Sequence, residues 1–380
     1  MASHKKICIA SICNPLLDTR ITNMSNSLRE DGFDVSVIGF DWYLKSKSSV
    51  EKNLKVFSLN RDAPSILFYL KFAYILFREL LFTPADIYFA EDIQTLPIVT
   101  IIAKIRKAKV IYNSREIYAF IGGLRNKPAL QRIITSVERF FIKKVDIVLT
   151  TGDLDSEFLQ KFYNIQNTVT VRNIPQYQKP AFVFDFRKKY NIDESKLILL
   201  YQGIIVDGRG IVPALQAMRE LPNTFLILLG DGPQKYNFQK LAEENGIQNR
   251  VVFAGAYTQN ELGSYTAGAD VGLTLIENIS ISYYHALPNK LFEYIMAEIP
   301  VLSSNLPQMK KVVEQYQVGK VVNVENVNEI IDALKNWSED KKSLTEFHQN
   351  CALASKELNW SIEYQLFKKG IADYIDDFIE

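Results

Sequence analysis

The feature that most constrains this chain is a pattern that runs through it twice. Short apolar runs rich in Val and Ile alternate with helix-length amphipathic segments at "KICIAS" (6–11), "DVSVIGF" (34–40), "LKVFSL" (54–59), "DIYFAE" (86–91), "KVIYNS" (109–114), "DIVLTT" (146–151) and "TVTVRN" (168–173). The pattern stops over "PQYQKPAFVFDFRKKYNIDES" (175–195), then restarts at "KLILLYQG" (196–203), "TFLILLG" (224–230), "RVVFAG" (250–255), "DVGLTL" (270–275), "IPVLSS" (299–304) and "GKVVNV" (319–324). Strands that are apolar throughout, and do not alternate, belong to a parallel sheet covered on both faces. The expected fold class is therefore α/β, with two doubly wound Rossmann-like domains over 1–178 and 179–360. A chain of 380 residues is also too long for one ordinary core. Ligands in such sheets bind beyond the carboxyl ends of the strands.

Composition narrows the class. The net charge of +1 gives no global attraction to nucleic acid, and no nucleic-acid partner is expected. That total hides an asymmetry: residues 1–178 hold 24 Lys or Arg against 17 Asp or Glu, and the remainder 20 against 26. Cys8, Cys13 and Cys351 show no metal-ligand spacing and leave one unpaired in any disulfide scheme, as in a reducing, cytoplasmic compartment. "MASHKKICIAS" reads into a strand and not into a leader. The most apolar stretch, "SILFYLKFAYILFRELLF" (65–82), carries Lys71, Arg78 and Glu79, which a membrane-spanning helix tolerates poorly. His4 and His348 are expected at the surface, and Trp42, Trp337 and Trp360 in the packing.

Three stretches carry chemistry. In "YQGIIVDGRGIVPALQAM" (201–218) a strand meets a turn with Gly203, Gly208 and Gly210 and then a helix. Glycines let the backbone approach a ligand, helix-start N–H groups attract anions, and Arg209 could grip a phosphate in bidentate fashion. The same pattern also describes a plain tight turn with a solvated arginine. "LLGDGP" (228–233) is a second strand-to-glycine turn, with Gly230 and Gly232, but it lacks the third glycine of the dinucleotide fingerprint. The chain's first turn, "IASICNPLLDTR" (9–20), has no glycine at all, which argues against a nicotinamide dehydrogenase.

The third stretch is "HALPNKLFEYIMAEIPVLSS" (285–304). A helix is expected to begin at Pro288 with no capping side chain before it, leaving free N–H donors and a positive dipole end. Lys290 adds charge there. Glu293, three residues on, shares its face and could accept hydrogen bonds from ribose hydroxyls. A surface Lys–Glu pair at helical spacing is the simpler alternative.

"ALPNKLFEYIMAEIPVLSS", together with "YQGIIVDGRG", "LLGDGP", "VVFAGAYTQNEL" and "GADVGLTL", resembles the C-terminal half of the retaining GT-B-fold glycosyltransferases of group 1 (family 4-like), which use nucleotide-diphosphate sugars. "DTRITNMSNSLREDGFDVSVIGF" (18–40), "AEDIQTLPIVTIIAKIRKAKVIYNSREIY" (90–118), "VRNIP" (171–175) and "NWSIEYQLFKKGIADYI" (359–375) resemble parts of its N-terminal half, its domain exit and its terminal helix. The resemblance implies two domains facing a cleft, with a C-terminal helix (361–380) crossing back to the N-terminal, acceptor-side domain. It implies transfer of a sugar, with retention, from a nucleotide-sugar co-substrate to a glycan or lipid-linked glycan, without a metal or other cofactor. Arg209 and Lys290 would hold the donor diphosphate as the catalytic cations. Glu293 would bind the ribose, the backbone at Ala256 and Tyr257 would meet the base, and Gly203, Gly208, Gly210, Gly230, Pro288 and Asn289 would line the donor site.

Two positions depart from the family. His285 stands where an acidic residue often touches the donor sugar, and Arg115, beside Glu116, stands where the cleft segment often carries a His. Two other readings therefore compete: a sugar-nucleotide epimerase of the same architecture, and a catalytically silent homologue serving as a partner subunit. The D-x-D of "GDLDSEF" (152–158) is expected to cap a helix and not to grip a metal. The amphipathic, basic segment "GGLRNKPALQRIITSVERFFIKK" (122–144) either covers the sheet or lies on an anionic membrane, which would place the protein on the inner face of that membrane.

Overall fold

The computed structural model describes residues 5–42, 49–51, 53–60, 65–372 and 374; His4 lies outside them. The chain divides into two compact units, Met1–Arg172 with Glu363–Glu380, and Asn173–Ile362. The exit segment belongs with the second unit because Ile174 is buried in its core and the Pro175 carbonyl accepts the Trp360 N–H at 2.9 Å. The expected break at 175–195 is thus partly core: Phe186 and Ile192 are buried there too.

In the first unit the strands are β1 (Lys6–Ala10), β2 (Asp34–Asp41), β3 (Ser49–Glu51), β4 (Leu54–Ser58), β5 (Ile87–Glu91), β6 (Lys109–Ser114), β7 (Ile147–Thr150) and β8 (Thr168–Thr170). They form one sheet in the order β3-β4-β2-β1-β5-β6-β7-β8, parallel except for the short antiparallel β3 at the edge. Every residue of β5 is buried, as a strand covered on both faces requires. The terminal helix Trp360–Ala372 packs here from Glu363 onward. The Glu363 carboxylate accepts from the Arg172 backbone N–H at 2.6 Å and its guanidinium at 2.7 Å, and Tyr364 donates to Asp31 at 2.8 Å.

The second unit has six strands, all parallel: β9 (Leu197–Gln202), β10 (Thr224–Leu229), β11 (Val251–Gly255), β12 (Val271–Thr274), β13 (Val301–Ser304) and β14 (Gly319–Val322), in the order β11-β10-β9-β12-β13-β14. β9 and β10 are buried along their whole length. The first crossover here runs from the central strand β9, and the order reverses beside it, which is where doubly wound sheets open to ligands.

One packing contact sets the site's frame. At Gly272 in β12 a Cβ would fall 2.3 Å from the Tyr294 ring, so only glycine lets the helix Asn289–Met296 settle this close to the sheet. The Tyr294 hydroxyl accepts the Gln202 N–H at 3.1 Å and faces the Leu200 and Leu273 carbonyls at 3.1 and 3.2 Å. That fixes the rotation of the helix, and with it where Lys290 and Glu293 emerge.

Trp337 and Trp360 are buried and Trp42 is half-buried, donating to the Ile12 carbonyl. His348 is half-buried, not surface-exposed, with Nδ1 2.6 Å from the Glu298 carbonyl. All three cysteines are free thiols. Asp153 and Asp155 do not cap their helix: Gly152 holds the cap position, and both aspartates lie in the first turn, where they complement the dipole.

Candidate functional site

The site residues of the second unit gather at the carboxyl edge of its sheet. The turn after β9 is stitched to the chain leaving β12: the Gly208 carbonyl accepts from Glu277 N at 3.0 Å, and Gly210 N donates to the Glu277 carboxylate at 3.2 Å. Gly208 and Gly210 take φ of +79° and +74°. A Cβ would meet Ile279 at 2.4 Å from Gly208 and the Leu275 carbonyl at 1.8 Å from Gly210. Gly230, at φ +151°, would put a Cβ 1.9 Å from the Gly203 carbonyl. The room freed at these three glycines is filled by the chain itself. Gly203 differs. It is exposed at φ +126°, and the atom nearest its missing Cβ is Lys290 Nζ, at 3.7 Å.

The helix Asn289–Met296 starts one residue later than expected. Pro288 has φ −77° and ψ 146°, an extended conformation, so it occupies the cap position, and no side chain caps the helix. The first-turn N–H groups, including those of Asn289 and Lys290, lack partners within the helix by its geometry. Asn289 is exposed; Lys290 is buried to 8% exposure. Its Nζ lies 3.8 Å from the Tyr201 ring centroid and makes no hydrogen bond. Burial holds this ammonium well below its ordinary range, and the nearby Arg209 adds repulsion that Glu293 partly offsets. The Arg209 guanidinium itself lies over Tyr283, 4.7 Å from the ring centroid. Tyr283 is set by the short helix Ile281–Tyr284, capped by Ser280.

Glu293 is not Lys290's ion-pair partner. One carboxylate oxygen takes a short hydrogen bond from Gln202, and the other faces Gln259 Nε2 at 3.5 Å. Gln202 is oriented in turn by Thr266, whose hydroxyl donates to its carbonyl at 2.8 Å. Burial pushes the Glu293 carboxyl up, and the two glutamine bonds pull it back. Gln259 opens the helix that follows the loop holding Ala256 and Tyr257, so this loop and Glu293 are linked directly. Ala256 is exposed, whereas the Tyr257 ring packs on Tyr265 with centroids 3.8 Å apart. His285 ends the Ile281–Tyr284 helix, its carbonyl held by Gln308.

The remaining two predicted residues lie in the first unit. Arg115 is committed within it: Nε donates to Asp92 at 2.7 Å, and its two terminal nitrogens contact Asp92 and Asp18. The Tyr118 hydroxyl also donates to Asp92. Burial opposes the Arg115 charge, but Asp92 holds the guanidinium well above its usual range. Glu116 is exposed. Sequence reasoning singled out neither Asp92 nor the pair Gln202 and Gln259. Asp92 stands at φ +68°, a left-handed conformation that no residue pattern announces. Among the described residues no group of three or more His, Cys, Asp or Glu side chains is placed to hold a metal.

Arg209, Lys290 without a hydrogen bond, and an uncapped helix start together offer the charge and the donors that an anion with several oxygens would need. An anion that pairs with Lys290 must also return its proton when the site has shed it. Binding of a nucleoside diphosphate is therefore expected to weaken with rising pH once the free site has shed the Lys290 proton, which happens well below the ordinary lysine value of 10.5. The stability of the free protein moves the other way. Between the depressed value and the ordinary 10.5 the unfolded chain binds the extra proton, so stability rises with pH across that window. Calorimetric titrations at several pH values check the first trend and thermal melts the second.

Residues 183–353 match the family model described as Glycosyl transferases group 1. The lipopolysaccharide core biosynthesis glycosyltransferase LpsE of Rhizobium meliloti is 30% identical over 118 residues, 31% of this chain and 32% of that protein. The chain thus aligns with about a third of that relative's length. Sucrose-phosphate synthase of Thermosynechococcus elongatus superposes with a TM-score of 0.80 at 16% identity, covering 97% of this chain and 100% of that one. Anabaena HepE (Alr3699), in complex with UDP-glucose, superposes with a TM-score of 0.71 at 14% identity, over 96% and 99% of the two chains. At such identities these likenesses show a shared two-domain GT-B fold.

Proposed function

We propose that the chain is a group 1 glycosyltransferase that moves a sugar from a nucleotide-diphosphate donor to a glycan or lipid-linked glycan, with retention of configuration. The observation that carries this reading is Lys290, a buried ammonium without a hydrogen bond at the uncapped start of Asn289–Met296. When the bond between sugar and diphosphate breaks, negative charge grows on the departing phosphate. Lys290, Arg209 and the helix N–H groups are already in place to meet it, so they stabilise the transition state more than the ground state. Glu293 takes the ribose: each carboxylate oxygen that accepts from a glutamine keeps further acceptor capacity. The loop at Ala256 and Tyr257 faces the base, and His285 the donor sugar. HepE was captured with UDP-glucose, which supports a nucleotide-sugar donor. LpsE acts in lipopolysaccharide core synthesis, which supports an acceptor linked to lipid and a place on the inner face of a membrane.

The test is release of nucleoside diphosphate from UDP-, GDP- or ADP-sugars in the presence of a glycan acceptor. One donor should be consumed by the parent protein and none by an Arg209→Ala variant. Failure of every donor would leave the silent-homologue reading. The ribose assignment has its own check. Glu293→Gln should weaken a normal diphosphate about ten-fold or more, since a charge-assisted bond contributes roughly 1.5–3 kcal/mol. A 2′,3′-dideoxy diphosphate should bind parent and variant about equally. Parallel loss with both ligands would mean that Glu293 only holds its helix.

A further inference from the structure

The helix Ser65–Leu81 is apolar on two opposite sides. Phe68, Phe72, Leu76 and Leu80 are buried and pack into the first unit's core. On the other side Ile66, Leu70 and Tyr74 are 71%, 61% and 67% exposed, with Phe77 and Leu81 continuing the same stripe. At 3.6 residues per turn these five positions fall within about 80° of one another. A helix that only covers a sheet shows charge on its outer face; this one shows a ridge of large side chains.

The neighbouring helices extend the surface. Ser65–Leu81 packs beside Asp92–Arg106, which packs beside Pro128–Ile142. Ile105 is 68% exposed on the second, and Ile133 and Phe140 are 60% and 57% exposed on the third. The charges are one-sided. Segments 65–82, 92–107 and 122–144 hold two, three and six Lys or Arg, and one acid each. Asp92 is bonded inward to Arg115 and Tyr118, and Glu138 to Tyr112 and Tyr163 at 2.7 Å each, while Glu79 is shared between Lys55 and the exposed Arg78. What faces outward is an apolar ridge with an excess of positive charge beside it, Arg78 alone being paired with an acid of these segments.

We propose that this three-helix layer is a membrane-docking face, with the Ser65–Leu81 ridge entering the lipid and the basic residues holding anionic headgroups. This deepens the membrane reading of the functional proposal, on which it rests for its partner. It moves the apolar anchor from 122–144 to a helix that sequence analysis treated only as unable to span a bilayer, and among the described residues no helix is long and apolar enough to cross one. A second copy of the chain fits poorly, because the same face on both partners would bring like charges together. An anionic bilayer offers both complements at once: acyl chains for the ridge and phosphates for the lysines and arginines.

The test is co-sedimentation of the full chain with vesicles of phosphatidylcholine, alone or mixed with phosphatidylglycerol, at rising salt. Parent protein should bind the anionic vesicles at low salt and keep part of that binding at high salt. A triple variant, Ile66→Ser, Leu70→Ser and Tyr74→Ser, should lose the salt-resistant part by more than ten-fold. A Lys127→Gln, Arg132→Gln, Lys143→Gln, Lys144→Gln variant should lose the salt-sensitive part. The three serine positions lie outside the core stripe, and circular dichroism confirms folding. A triple variant that partitions like the parent would overturn the proposal, as would a parent that binds no vesicle. So would a parent dimer that the serine substitutions dissolve. Diphosphate release with a short acceptor lacking lipid separates the two readings. If it persists while vesicle binding fails, only the docking face is wrong; if it is absent while vesicles are bound, only the transferase reading is.

Discussion

Replacing Lys290 with methionine is expected to raise the melting temperature and, at the same time, to weaken diphosphate binding by ten-fold or more. The two effects have one cause. Lys290 Nζ is buried without a hydrogen bond, against the Tyr201 ring and near another cation, so the free protein carries an uncompensated polar group. Methionine matches its shape, removes the desolvation cost and packs well on an aromatic ring. With an anion present the balance reverses, because a charge-assisted contact of roughly 1.5–3 kcal/mol is gone. Arg209→Ala should weaken binding to a similar degree without the gain in stability, since Arg209 is only half-buried. A purely structural lysine would behave differently: methionine would lower the melting temperature or leave it alone, and affinity would not change. Equal affinities for variant and parent would sink the phosphate assignment.

Asp92→Asn should destabilise the first unit strongly. Asp92 receives Arg115 through two nitrogens and the Tyr118 hydroxyl, and its side chain is 10% exposed. Asparagine keeps the tolerance for φ +68° and one acceptor oxygen, but it sets an N–H donor where the second carboxylate oxygen met Arg115, so the charge and one acceptor are lost together. Leaving a buried arginine short of a counter-charge costs on the order of 3 kcal/mol. That corresponds to roughly 6–12 °C for a unit of this size, read by differential scanning calorimetry. An unchanged melting temperature would mean that Arg115 is free to turn toward a ligand, as its family position implied.

What the sequence disclosed, and what it did not, follows from the range of the forces involved. Thirteen strands were legible because each carries a short Val-, Ile- or Leu-containing run and most are flanked by helix-length segments, a local signal. β3 was not: its three residues, Ser49–Glu51, are set by antiparallel pairing with residues 54–56, which no composition announces. The start of Asn289–Met296 was displaced by one residue because proline suits both the cap and the first helical position, and ψ decides between them. Lys290 and Glu293 were found from their three-residue spacing, but spacing cannot say what else arrives at that face. Gln202 and Gln259, which take Glu293 away from Lys290, come from β9 and from the start of the helix after β11. The same limit hid the commitment of Arg115 to Asp92 and Asp18, contacts made across 23 and 97 residues of chain. At Gly208 and Gly210 the sequence marked a turn correctly, while the structure shows that the chain's own Ile279 and Leu275 occupy the space.

The central claim is that the second unit presents a diphosphate site whose key cation waits unpaired. Calorimetric titration of the parent protein with UDP, GDP and ADP in turn tests it most directly, with the Lys290→Met variant run beside it. One of the three diphosphates should bind well ahead of the other two, and its affinity should fall by ten-fold or more in the variant. A folded parent protein that binds none of the three, or a variant that binds as tightly as the parent, would contradict the account.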